Sequence, residues 1–195
     1  MFTYKYMRLA VTLIMIASVS FFWYTRLDEL YYHTFASSEL IDLGNAVDFA
    51  SKENSIKANT YVSVTGVLGN KAATLRGLRA GSLRYGRYQV RNLIGSKLFL
   101  EFDENKYLPS FNQFTRVAVQ GRLVSFGPNS ELESVRNFYK EYYKSPVDEK
   151  AMIIIVDETP KTEFRYAVLF IITLLLFGFS LYFSYASIKN YSSYS

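Results

Sequence analysis

The residues with the most chemistry to offer lie in one stretch of this 195-residue chain. Between Lys57 and Lys97 there are eight basic residues (Lys57, Lys71, Arg76, Arg79, Arg84, Arg87, Arg91 and Lys97) and no acid. Gly77, Gly81 and Gly86 punctuate the arginines, so the composition predicts a loop between a strand and a hairpin that presents Arg76, Arg79, Arg84, Arg87 and Arg91. Such a loop can be plain solvated surface, a docking surface for an acidic partner or anionic lipid headgroups, or a nucleic-acid surface on which Tyr85 and Tyr88 would stack bases. Docking is the reading carried forward. Nucleic acid is set aside, because the layout described below places the loop where nucleic acid is rarely met.

Little else in the chain suggests a reaction. With no cysteine and His33 as the only histidine, thiolate zinc, iron–sulfur and disulfide frameworks are excluded. A haem or copper site on His33 would need a second ligand, and neither Met15 nor Met152 is spaced to supply one. Asp103 and Glu104, or Asp157 and Glu158, could be paired carboxylates. Neighbours on an extended segment point to opposite faces, however, and they read as solvated strand ends. No Gly-x-Ser-x-Gly elbow, P-loop or dinucleotide fingerprint occurs. The expectation is a protein that is not an enzyme, with no catalytic residue, metal or cofactor.

Half of the residues are apolar, 17% are aromatic, 20% are charged, and the net charge is +5. That is too apolar for disorder, and the length allows one domain of about 100 to 150 residues with attachments. The attachments read as membrane helices. Leu9 to Thr25 is an uncharged run of 17 residues and Tyr166 to Ile188 one of 23, reaching roughly 25 and 35 Å as helices against a hydrocarbon core of about 30 Å. Trp23, Tyr24, Arg26 and Tyr166 fall where a membrane interface would lie. Lys5 and Arg8 favour both termini in the cytoplasm or matrix and the domain in the periplasm or intermembrane space of an inner membrane. The expected organisation is a tail (1–8), a first transmembrane helix (9–25), a linker or helical segment (26–58), a β domain (59–161), a second transmembrane helix (162–188) and a tail (189–195). Gly178, Ser180 and Ser184 offer a small-residue line to another helix.

Within the domain, Tyr61 to Leu68 and Thr115 to Phe126 alternate at period two, with Gly66 and Gly121 as bends. Arg87 to Val90 and Lys97 to Phe102, joined through Ile94, Gly95 and Ser96, read as a hairpin, and Ala151 to Val156 as a buried last strand. Ser130 with Glu133 forms a capping box that opens a helix to about Tyr143, with Val135, Phe138 and Tyr142 on its apolar face. The expected fold class is mainly β with membrane helices: a small OB-like five-stranded β-barrel with one helix, flanked by two transmembrane α-helices.

This layout resembles the surfeit-locus (Shy-type) family of cytochrome oxidase assembly factors. Tyr61 to Leu68, Gly86 to Phe102 and Arg116 to Phe126 resemble that family's successive strands. Val135 to Tyr143, Ile153 to Asp157 and Tyr166 follow in its order, and Trp23 and Arg26 are similar to residues after its first helix. Where the family has an Asn-Arg-Gly-aromatic signature this chain has Glu101, Phe102, Asp103 and Glu104, and where it has Asn-His before the last helix this chain has Thr162, Glu163 and Phe164. The resemblance implies a non-catalytic, membrane-anchored accessory or assembly subunit of a respiratory complex, cytochrome c oxidase foremost. Its partners would be integral membrane subunits and membrane lipids. The alternative is a stand-alone envelope β-barrel that binds an anionic lipid headgroup, glycan or peptide.

Overall fold

The computed structural model of the chain describes residues 2–52, 55–78, 85–108, 110–126, 132–161 and 164–192. It divides into two compact units, Met1–Thr34 with Glu163–Ser195, and Phe35–Thr162.

The first unit pairs two long helices, α1 (Phe2–Thr34) and α5 (Phe164–Ser192), which pack on each other. Their described side chains are largely apolar and turned outward, with Ile14 65% and Leu175 68% exposed. Ser180 is buried and gives its hydroxyl to Leu176 O (2.8 Å), and Gly178 has open space around it. The side chain of Ser184 is outside the described residues, so the small-residue line is seen only in part.

Among the described residues, no helix is long and apolar enough to cross a membrane. The two-span topology is corrected accordingly. The expected transmembrane helices of an inner-membrane protein go with it, and nothing in the fold points to the respiratory chain or to oxidase assembly. The two-pass localisation, with termini on one side and the domain on the other, is withdrawn as well.

The second unit is a mixed six-stranded sheet with short helices. In chain order it holds β1 (Ile41–Asn45), a 3-10 turn (Ala46–Asp48), α2 (Phe49–Lys52), β2 (Thr60–Leu78), β3 (Tyr85–Leu93) and β4 (Leu98–Asp103). There follow α3 (Glu104–Tyr107), β5 (Arg116–Ser125), α4 (Glu133–Tyr142) and β6 (Met152–Val156). The strand order is β1-β2-β3-β4-β6-β5, with β1–β2 and β4–β6 parallel and the other pairs antiparallel. At 19 residues β2 is long enough to serve two neighbours: Thr60–Val67 pairs with β5 and Leu68–Leu78 with β3. This six-stranded mixed sheet with helices replaces the expected five-stranded OB-like barrel flanked by transmembrane helices. Periodicity identifies strands but not their partners, and β1, read as helix or loop, is a strand that adds a parallel edge to β2.

Two apolar clusters hold the sheet. Leu43, Phe49, Val62, Val64, Leu68, Leu93, Leu98, Leu100, Phe102, Leu123 and Ile154 fill one, and Phe99, Phe126, Leu132, Val135, Tyr139 and Ile153 fill the other, under α4. Because β6 sends Ile154 to the first and Ile153 to the second, both of its faces are buried, and its sequence is apolar throughout. Gly121 is required by close approach: a Cβ there would lie 2.0 Å from Ile155 O of the paired strand. Helix α4 enters through Leu132, without a side-chain cap, and Ser130 of the expected capping box lies outside the described residues. Its buried face is Leu132, Val135 and Tyr139. Phe138 (39%) and Tyr142 (71%) are exposed, which corrects the expected stripe by one position.

Candidate functional site

The basic stretch is strand as well as loop. Arg76 lies in β2 and Arg87 in β3, directly opposite each other, followed by the pairs Thr74 with Gln89 and Ala72 with Arg91. Alternation puts Arg76, Arg87, Gln89 and Arg91 on one face of the two-stranded ribbon. Like charges across an antiparallel pair oppose pairing unless something answers them. Arg87 is answered by Glu104 at the start of α3, an ion pair with Nε 2.8 Å from Oε2 and a hydrogen bond from Nη2 to Oε1 at 3.3 Å, to a carboxylate 8% exposed. Arg91 donates from Nε to Gln89 Oε1 at 2.8 Å, and Arg76 is exposed. Tyr85 stands at the end of the same face, 81% exposed. Arg79 and Arg84 lie outside the described residues, as do the side chains of Trp23, Arg26 and Tyr166, while Tyr24 is 87% exposed on α1. Of the expected docking residues the structure thus brings three together, Arg76, Arg87 and Arg91.

Helix α4 fixes this ribbon. Where β2 slips register against β3 between Leu68 and Ala72, carbonyls fall out of the ladder. The Tyr139 hydroxyl donates to Lys71 O (2.9 Å) and Val90 O (3.0 Å). The Tyr143 hydroxyl accepts from Ala72 N (3.1 Å) and donates to Ala72 O (2.9 Å). Burial raises the pKa of Tyr139 well above the ordinary tyrosine value, so the donor persists through the neutral range. Both tyrosines were missed from sequence, since nothing in α4 announces a hydroxyl contact to a strand some 70 residues away.

A second polar cluster gathers at the end of β6. The Asp157 carboxylate takes the Lys106 ammonium and the Tyr107 hydroxyl, and Lys106 also lies over the Tyr107 ring. The hydrogen bond to Asp157 holds the Lys106 pKa up. Burial first, and then Asp157, raise Tyr107, and Tyr61 is raised for the same two reasons. Next to it, Glu158 is 6% exposed and meets Arg122, 2% exposed, at 3.1 Å, and Arg122 also donates to Asn59 Oδ1 at 2.7 and 2.9 Å. The carboxylates read as solvated strand ends are corrected here: Glu104, Asp157 and Glu158 are each held by a cation, and Asp103 caps α3 through Asn105 N. Their side chains answer cations on different elements, so they form no acid–base pair.

A cavity of about 220 Å³ lies beside α4, lined among others by Lys71, Asn92, Ser96, Tyr139, Ser145 and Asp148. Asn92 lies over Gly69, where a Cβ would meet its Oδ1 at 2.1 Å. The Lys150 amide and then Lys97 hold Asp148 below the ordinary carboxylate range. His33 is buried at the end of α1, its ring edge-on to Tyr32. Among the described residues, no group of three His, Cys, Asp or Glu side chains could hold a metal ion. No family model, curated protein or solved structure matches the chain.

Proposed function

We propose that this protein is a non-catalytic docking module, an accessory or assembly subunit that holds an acidic partner protein on the arginine face of the β2–β3 ribbon. The observation that carries this reading is the cross-strand pair Arg76 and Arg87 with Arg91 on the same face, answered among the described residues by the single carboxylate of Glu104. A like-charged stripe on a braced ribbon has a cost to the fold that an anionic partner would relieve. The engagement of Glu104, Asp157 and Glu158 in ion pairs supports a binding role over acid–base chemistry.

The test is purification of the tagged full chain at low and raised salt, with the recovered proteins identified by mass spectrometry. An acidic protein recovered in stoichiometric amount, released by salt and lost from an Arg76→Gln/Arg91→Gln variant of unchanged melting temperature, is the expected result. Equal recovery from wild type and variant across the salt series would sink the reading. Arg87 is left intact in that variant because it also holds α3 through Glu104.

A further inference from the structure

The β2 strand has two edges, and among the described residues one of them is open beside Thr74 and Arg76. Along that edge β5 accompanies β2 as far as Leu68, whose N–H donates to Thr115 O (3.0 Å) and whose carbonyl accepts from Phe114 N (2.8 Å). Tyr143 takes over at Ala72, bonding both its N–H and its C=O. In an antiparallel pair the N–H and C=O of one residue point the same way, and the direction alternates along the strand. Since both backbone groups of Ala72 turn away from β3, those of Thr74 and Arg76 turn away as well. Both residues are exposed, and among the described residues nothing bonds those outward backbone groups.

We infer that this edge accepts an added strand: an extended acidic segment of a partner polypeptide that pairs its backbone with Thr74 and Arg76 and sets carboxylates against Arg76, Arg87 and Arg91. The inference rests on the docking reading above and gives it a geometry. Main-chain bonds to an exposed edge supply affinity in this mode, and alternate side chains supply selectivity. A residue added opposite Arg76 brings its Cβ within about 5 Å of the arginine Cβ, so Asp or Glu there forms a cross-strand ion pair. Charge also chooses the occupant. From Lys57 to Lys97 the chain has eight cations and no acid, so a second copy of the ribbon would bring arginine against arginine. A nucleic acid could meet the charge but has no amide ladder to offer the edge.

The probe is a synthetic heptapeptide of alternating valine and glutamate, titrated by fluorescence anisotropy into the full chain. Three comparisons accompany it: the same peptide N-methylated at alternate amides, its lysine counterpart, and a single-stranded oligothymidylate as competitor. Thr74→Pro removes an outward N–H without touching the β3 ladder, a substitution edge strands tolerate. The acidic peptide is expected to bind and the lysine peptide not to. N-methylation in one of its two phases, and Thr74→Pro, should each weaken binding by about tenfold, the effect of one lost backbone bond. Full binding of both N-methylated phases and of Thr74→Pro, alongside weakened binding by Arg76→Gln/Arg91→Gln, overturns edge pairing and leaves the docking reading standing. Absence of binding by every acidic peptide overturns both. Displacement of the peptide by far lower concentrations of oligothymidylate overturns the assignment to a polypeptide. The N-methylated peptides carry the test even if the proline variant fails to fold.

Discussion

Removing one member of the Arg122–Glu158 pair should damage the domain far more than removing both. Arg122 is 2% exposed and Glu158 6%, and they meet at 3.1 Å, so neither charge has recourse to water. Glu158→Leu takes the carboxylate from a buried guanidinium that still bonds Asn59, and Arg122→Met takes the guanidinium from a buried carboxylate. Each single substitution is expected to cost about 3 to 5 kcal/mol, a large share of a total stability of about 5 to 15 kcal/mol. The double variant Arg122→Met/Glu158→Leu removes the desolvation cost together with the attraction, which brings it near neutral. Asn59 complicates that balance, because it loses its guanidinium partner in the double variant and its oxygen forfeits bonds at 2.7 and 2.9 Å. A residual loss of about 1 to 2 kcal/mol is therefore expected. Urea unfolding of the wild type, both single variants and the double variant gives the four free energies of the cycle. Additive losses would show that the pair is not a closed unit. A Glu158→Leu cost below about 1 kcal/mol would show that the carboxylate is hydrated, and either result refutes the reasoning.

Tyr139→Phe removes the donor shared by Lys71 O and Val90 O, and a loss of about 1 to 3 kcal/mol in urea unfolding is expected, with α4 retained by circular dichroism. Gly121→Ala places a methyl 2.0 Å from Ile155 O, where ordinary contact begins at 3.4 Å. β5 and β6 must part, with a cost of about 3 kcal/mol or more visible in thermal unfolding. Lys106 and Tyr107 both have raised pKa values in the folded state, so their contribution is complete below the ordinary values of 10.5 and 10.0 and disappears as pH climbs through the raised ones. The melting-temperature gap between wild type and Lys106→Gln/Tyr107→Phe should then be constant through neutrality and narrow above about pH 10. A gap that widens with alkalinity would reverse the assigned direction.

What the sequence reveals tracks how one-sided each element is. β5 alternates because Val117, Val119 and Leu123 enter one cluster, and β6 is continuously apolar because both faces are covered, so both are readable. The β3–β4 hairpin is readable from Ile94, Gly95 and Ser96, with Gly95 at φ +75°. The second half of β2 is not. There the face that carries Val62, Val64 and Leu68 into the core continues as Ala72, Thr74 and Arg76, and the apolar signal fades while the pairing persists. Glycine and arginine then read as loop, and Arg76 and Arg91 were assigned to that loop when both belong to strands. Other losses come from partners distant in sequence: Glu158 finds Arg122 36 residues away and Asp157 finds Lys106 51 away, distances that no local pattern encodes. The apolar terminal runs do lie in helices, α1 and α5, but among the described residues neither is long and apolar enough to cross a membrane.

The contacts that stabilise the domain also decide where it can bind. Lys97 is matched by Asp148, Lys106 by Asp157 and Arg122 by Glu158, so among the described residues these cations are committed to the fold, while Arg87 pairs with Glu104 and stays half-exposed on the docking face. Arg76 and Arg91 have no carboxylate among the described residues, and they share a face that Tyr139 and Tyr143 hold rigid from the far side of the register slip. Tyr143 therefore does two things at once. It satisfies Ala72, closing the edge there, and it fixes the alternation that turns Thr74 and Arg76 outward. A ribbon held in this way is already in the conformation a paired strand requires, so a partner does not have to order it on arrival. That preorganisation, more than the number of arginines, is what would let a short acidic segment bind with useful affinity.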